Sequence, residues 1–146
     1  MAALRDLDRP QLEADRGTLD ATSYRRARHV VSENDRTIRA AQALQHNDIR
    51  QLSLLMAQSH QSMRDDFAIT TPAIDHLVAI IAQTLGDTGG VRMTGGGFGG
   101  CVVAVMPNQQ CEAVRQAVNR EYRDPQGQPA AMFLCTSSAG ARIIDG

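Results

Sequence analysis

The chain has no lysine: all 15 of its basic residues are arginine. Any chemistry that needs a lysine, whether a Schiff base or a phosphate-binding ammonium, must therefore draw it from another chain. Tryptophan is also absent, and aromatic residues make up only 3% of the sequence. That excludes an aromatic stacking platform for single-stranded nucleic acid. Neither sign of charge dominates, since 15 basic and 16 acidic residues leave a net charge of −1 with no block of one sign. A nucleic-acid or anionic-membrane surface is excluded on that ground. No apolar run reaches the roughly 18 residues of a membrane-spanning helix. The opening segment, MAALRDLDRPQLEADRG, is charged and has no apolar signal core. The expected location is cytoplasmic. The cysteines, Cys101, Cys111 and Cys135, are odd in number and lack C-x-x-C spacing, so they form neither a zinc site nor a disulfide framework. They are expected to be reduced and mostly buried.

What is present suits one soluble domain spanning residues 1–146, with 42% apolar and 21% charged residues. Residues 1–20 are weakly patterned and open to flexibility. Asp8-Arg9-Pro10 suggests a short helix over 9–16, closed at Gly17. A long helix follows over about 22–46, with Ala27, Val30, Val31, Asn34, Ile38, Ala41 and Leu44 as its inward stripe. Glu33, Asp35, Arg36 and Arg39 fall off that stripe, and Asp35 and Arg39 form an i,i+4 pair. Asp48 caps a helix over 49–66 whose stripe is Ile49, Leu52, Leu55, Met56, Ser59, Met63 and Phe67. Thr71-Pro72 opens a third long helix carrying Ile74, Leu77, Val78, Ile81 and Leu85, with Gly86 as its stop. The period then changes. GGVRMT (89–94) and CVVAVMP (101–107) read as strands, 108–122 as a helix with Val114, Val118 and Tyr122 inward, 124–129 as a turn, and AMFLCTS (131–137) as a last strand. Strands joined by six residues pair antiparallel, because a parallel pair needs a long crossover. The expected fold is α+β: a small antiparallel sheet covered by helices. Three strands make a thin sheet for so many apolar helix faces, which points to a missing strand or a missing partner surface.

Five of the 12 glycines lie between positions 95 and 100. Gly95-x-Gly97-x-x-Gly100 matches G-x-G-x-x-G as a string, but its context rules out the familiar uses. A dinucleotide fingerprint leads into a helix, whereas a strand follows here. A P-loop needs G-K-[ST], and there is no lysine. A protein-kinase loop joins antiparallel strands but needs a lysine on the next strand and H-R-D and D-F-G segments, all absent. The remaining reading is a glycine-rich hairpin whose backbone comes close to a phosphate or to a neighbouring segment. Other residues carry weaker signals. Asp65 and Asp66 point about 100° apart on a helix, so they do not face one site. Ser59-His60 lacks an acid at triad spacing, and His60 reads as a packed or surface histidine. Arg64 and Asp65 are placed to hold the following loop against the glycine segment. Arg92 is suited to contact either a phosphate or a nearby acid. Met56, Met63 and Met93 read as core filling, and Phe98 as an anchor for the loop.

GGVRMTGGGFGGCVVAVMP resembles the third signature motif of galactokinases, within the family of galactokinase, homoserine, mevalonate and phosphomevalonate (GHMP) kinases. RARHVVSENDRTIRAA (25–41), LMAQSHQSMRDDFAITTPAIDHLV (55–78) and AMFLCTSSAGARII (131–144) are similar to galactokinase segments in the same order. The resemblance implies a ferredoxin-like GHMP-kinase C-terminal domain that lacks its first strand. It implies that the intact enzyme uses ATP and Mg²⁺ to phosphorylate galactose to galactose 1-phosphate. Gly95, Gly96, Gly97, Phe98, Gly99 and Gly100 would then form the phosphate-side loop, supported by Arg92 and Thr94. The first and second family motifs, R-x-N-L-I-G-E-H-x-D-Y and P-x-x-x-G-L-S-S-S-A, are absent, and with them the catalytic aspartate and its arginine. No catalytic or metal-binding residue is therefore assigned to this chain. It is expected to be inactive alone and to pair with an amino-terminal galactokinase half or with itself. A non-catalytic interaction module and the lobe of a related small-molecule kinase are the alternatives.

Overall fold

The structure is a computed structural model that describes residues 3–137 and residue 140. Five α-helices and two strands follow in the order α1 (Arg9–Ala14), α2 (Ala21–Gln45), α3 (Ile49–Ser62), α4 (Pro72–Leu85), β1 (Gly90–Thr94), β2 (Cys101–Val105) and α5 (Asn108–Glu121). The local signals explain most boundaries. The carboxylates of Asp8, Asp20 and Asp48 accept amide hydrogen bonds at the starts of α1, α2 and α3. Thr71 caps α4 ahead of Pro72, and Gly86 ends it at φ 56°. Past Ser62 the chain winds into a π-helical turn, Met63–Phe67, which closes on Ala68 in the left-handed conformation (φ 57°). Such turns widen the helix and redirect the chain.

β1 and β2 pair antiparallel, with Gly90 opposite Val105 and Thr94 opposite Cys101. Val91 and Met93 of β1 and Val102 and Ala104 of β2 face one side. There they meet Ile74, Val78, Ile81 and Leu85 of α4 and Val114 and Val118 of α5 in the main core. Met93 is fully buried. On the opposite face α3 covers β1: Gly90 lies so close that an added Cβ would sit 2.6 Å from Met56 Sδ. A second cluster, Leu12, Tyr24, Ala27 and Val31, fastens α1 to the first half of α2.

Three expectations are corrected. Residues 131–137 form no strand; among the described residues the sheet has two strands, and Phe133 and Leu134 are 87% and 78% exposed. A lone extended segment needs both a ladder for its backbone groups and an apolar surface beneath it, and this one has neither. The remainder of the closing segment, at 138, 139 and 141–144, lies outside the described residues. Second, the inward stripe of α2 holds only in its first half. Asn34, Ile38, Ala41 and Leu44 are exposed, while Arg36 and Ala43 are buried, because the face turned to α3 is a different one: it carries Glu33, which bonds Arg36 and Ser59, and then Ala40 and Ala43, packed with Leu52 and Met56. Third, the cysteines are free but not mostly buried: Cys101 and Cys135 are exposed and Cys111 is half-buried.

Two histidines sit inside the helical layer. His29 Nδ1 lies 3.0 Å from Ser62 Oγ, and its ring stacks on Phe67 at 4.5 Å. His60 Nδ1 accepts the Met93 amide at 3.4 Å, which leaves its proton on Nε2. That atom is 3.2 Å from Asp75 Oδ1, in contact but out of line for a hydrogen bond. Burial lowers both histidines below their ordinary range, against the raising pull of Asp75 on His60 and of Glu33 on His29. The unfolded chain therefore takes up these protons first, at about pH 6.5. Stability is expected to be full above about pH 6.5 and to fall as the pH drops below it. Thermal melts between neutral and mildly acidic pH check this, and His60→Gln is expected to flatten the dependence.

Candidate functional site

The glycine loop spans the turn between β1 and β2, and its shape is imposed from outside. Gly97 adopts φ 86°, and a Cβ there would lie 2.6 Å from Ile69 Cβ and 2.8 Å from the Ile69 carbonyl oxygen. Only glycine fits that approach. The next residue, Phe98, donates its amide to the same Ile69 carbonyl at 2.6 Å. Phe98 pays for this contact with a left-handed backbone (φ 59°), and its ring is 77% exposed rather than anchored in the core. Gly95, Gly99 and Gly100 also have positive φ. The space where Cβ atoms would stand at Gly95, Gly96 and Gly99 is open. Among the described residues, the amides of Gly95, Gly96, Gly97, Gly99 and Gly100 make no hydrogen bond. The loop is thus pinned at its centre, with unused donors on either side of the pin.

The pin depends on the segment after α3. The π-helical turn and left-handed Ala68 direct Ile69 toward the loop, and the Ile69 amide bonds back to the Met63 carbonyl at 3.1 Å. Arg64 and Asp65 do not serve this purpose; they pair with each other at 2.8 Å and are about half exposed. Asp66 turns the other way, accepting from Ser62 at 3.0 Å and pairing with Arg28. The two carboxylates therefore face different partners.

Arg92, in the strand that enters the loop, pairs with an acid. Its Nη1 donates to Ser59 Oγ at 2.6 Å and to Glu33 Oε2 at 3.2 Å. Ser59 Oγ donates to the same Glu33 oxygen at 2.6 Å, and Arg36 Nε donates to Glu33 Oε1 at 2.5 Å. One carboxylate on α2 thus joins α3 and β1. Burial pushes the Glu33 carboxyl up, but the hydrogen bonds from Ser59 and Arg36 outweigh it and hold the group below the usual carboxylate range. Periodicity had set Glu33 and Arg36 off the inward stripe of α2. The available signal was Arg36 following Glu33 by three residues on a helix that also carries Ser32, but that spacing fits an exposed pair equally well. Thr94, the last residue of β1, is half-buried opposite Cys101. His60 approaches Asp75, but Ser59 beside it points to Glu33, so no Ser-His-Asp array forms. Among the described residues no group of three or more His, Cys, Asp or Glu side chains could hold a metal ion, and no helix is long and apolar enough to cross a membrane.

Residues 40–124 match the family model described as GHMP kinases C terminal, a span that takes in α3, α4, the strand–loop–strand unit and α5. The chain belongs to the GHMP kinase family and carries its C-terminal domain, a helical layer over a short antiparallel sheet. Among solved structures it is similar to the galactokinase of Lactococcus lactis complexed with galactose, with a TM-score of 0.81 and 33% sequence identity over 90% of this chain. It spans 34% of that galactokinase chain.

The fit of Gly97 against Ile69 separates the loop glycines by consequence. Gly97→Ala is expected to displace the loop, break the Phe98–Ile69 hydrogen bond and cost roughly 1–3 kcal/mol of stability. Gly96→Ala, at an open position without positive φ, is expected to stay within about 0.5 kcal/mol of the parent. Urea denaturation of the two variants, read side by side, checks the contrast.

Proposed function

We propose that this chain is the carboxy-terminal part of a galactokinase, and that in the intact enzyme residues 95–100 line the phosphate side of the nucleotide cleft. The observation that carries the reading is the pinned loop with its free amides. Fixed N–H groups beside a backbone stripped of Cβ atoms are suited to phosphoryl oxygens, and their pre-set orientation avoids reorganisation as charge develops in the transition state. Arg92 and Thr94 support the loop through β1: Arg92 holds the strand to Glu33 and Ser59, and Thr94 sits at the strand–loop boundary.

Transfer of the γ-phosphoryl of ATP to a sugar hydroxyl also needs an in-line nucleophile and cations on the β and γ oxygens. This reading assigns none of the described residues to those cations or to the role of base. Loop, ATP and galactose come together only with an amino-terminal half, which makes that half the natural partner and the isolated chain inactive. A cytoplasmic location belongs to the same reading.

One observation favours a second reading, a non-catalytic interaction module. Ile38, Leu44 and Leu54 are 62%, 56% and 50% exposed, which is large apolar surface left open on α2 and α3.

The test is ADP release with ATP and galactose. The chain alone is expected to give none. A chimera in which it replaces the matched third of the Lactococcus lactis galactokinase is expected to phosphorylate galactose, and Gly97→Ala in that chimera to lower kcat by at least about tenfold. Turnover by the chain alone contradicts its dependence on a partner half. A folded but inactive chimera contradicts the kinase reading and leaves the interaction module.

A further inference from the structure

Among the described residues, two buried side-chain atoms have no hydrogen bond, His60 Nε2 and Asp75 Oδ1. They face each other at 3.2 Å, in contact but out of line. Orphaned polar atoms inside a protein are uncommon and call for an explanation. These two belong to side chains that join both ends of the contact pinning the glycine loop. On the strand side, His60 Nδ1 accepts the Met93 amide at 3.4 Å, and Met93 lies two residues before Gly95. On the other side, Asp75 Oδ2 accepts from Thr70 Oγ1 at 3.3 Å. Thr70 follows Ile69, whose carbonyl holds the Phe98 amide.

The ring can accept from Met93 in one protonation state only. Nδ1 must be free of hydrogen, which puts the proton of the neutral ring on Nε2. A second proton goes to Nδ1 and sets donor against donor at the Met93 amide. The imidazolium then gains a charge-assisted hydrogen bond by swinging Nε2 into line with the Asp75 carboxylate, a movement away from Met93. Three charged groups face His60 from its neighbours: Asp75 on α4, and Arg64 and Asp65 on the π-helical turn. Arg92 on β1 is turned to Glu33. Burial, the largest influence, lowers the ring's affinity for a proton; Asp75 opposes it, Arg64 reinforces it and Asp65 opposes it.

We propose that His60 is a positioning residue for the glycine loop: its neutral ring fixes the β1 end of the pin, and a proton on that ring releases Met93 and draws Asp75 from Thr70, so that acid loosens the loop. Its part in phosphoryl transfer rests on the kinase reading. The coupling of ring to loop does not, and the two are measured separately.

The coupling is read on the full chain by NMR, following the His60 ring nitrogens and the Met93, Phe98 and Val118 amides from about pH 8 to about pH 5. At the upper end the ring is expected to carry its proton on Nε2. As it titrates, the protection of Met93 and Phe98 is expected to fall together at least about tenfold, while Val118 in the main core keeps its own. Three results overturn the proposal: a neutral ring protonated on Nδ1, a ring that takes up no proton before Val118 is released, or Met93 and Phe98 protection indifferent to its titration. In the chimera with the Lactococcus lactis galactokinase, kcat is expected to fall on the acid side. His60→Leu leaves the Met93 amide without an acceptor and is expected to lower kcat about tenfold at every pH. His60→Asn restores an acceptor near the Nδ1 position with no proton to gain, and is expected to recover most of that loss and flatten the acid limb. Asp75→Asn removes the charge that favours the imidazolium and is expected to move the limb to lower pH by at least about half a pH unit. Circular dichroism confirms that the variants fold. A limb set by ATP or by the other half of the chimera stays put in both Asn variants, and that result overturns the part assigned to His60 in the reaction. An inactive chimera contradicts the kinase reading, and the NMR result still decides the coupling.

Discussion

The arrangement of this molecule turns on a single backbone contact, the approach of Gly97 to Ile69 with the Phe98 amide bonded to the Ile69 carbonyl. A stretch with five glycines in six positions loses much conformational entropy when it is ordered. A two-residue hairpin would need one or two of them at most. Here the ordering is achieved at one point, and the expense falls on a non-glycine residue in the left-handed region. The glycines on either side keep their N–H groups unpaired.

Everything around the loop serves to hold the two ends of that contact. On the Ile69 side, the π-helical turn takes α3 out of regular winding, and left-handed Ala68 completes the change of direction. On the loop side, β1 is gripped from both faces. Met93 fills the main core and Arg92 reaches across to Glu33 and Ser59. Glu33 therefore has more influence on the strand than its place outside any cleft suggests. It neutralises Arg92 and Arg36 together, and removing it would leave Arg36, 9% exposed, without its carboxylate.

Much of this was legible in the residues. Asp8, Asp48, Thr71-Pro72 and Gly86 act locally, and local signals are what a sequence states most directly, so the helix ends fall within a few residues of expectation. The antiparallel pairing followed from a six-residue connection, and the loop itself from glycine content. What was not legible depended on distant partners. Glu33 and Arg36 look like surface charges until Ser59 and Arg92 are brought against them from 26 and 59 positions away. Ile38 and Leu44 follow the helical period but find no surface to cover. Residues 131–137 have strand composition and no neighbour to pair with, so propensity has nothing to act on. Phe98 was expected to anchor the loop by its ring; it does so by its amide, a role no side-chain pattern announces. The same dependence on context explains why kinship was clear from glycine spacing while the chemistry was not: the chain aligns with 34% of the galactokinase it resembles.

The most direct test of the pinned loop is amide hydrogen exchange by ¹H–¹⁵N NMR across residues 94–101. The Phe98 amide is expected to be protected while Gly95, Gly96, Gly99 and Gly100 exchange at rates near those of an unstructured chain. Equal rates for Phe98 and the flanking glycines would contradict the account, since the loop would then have no fixed point from which to present its donors.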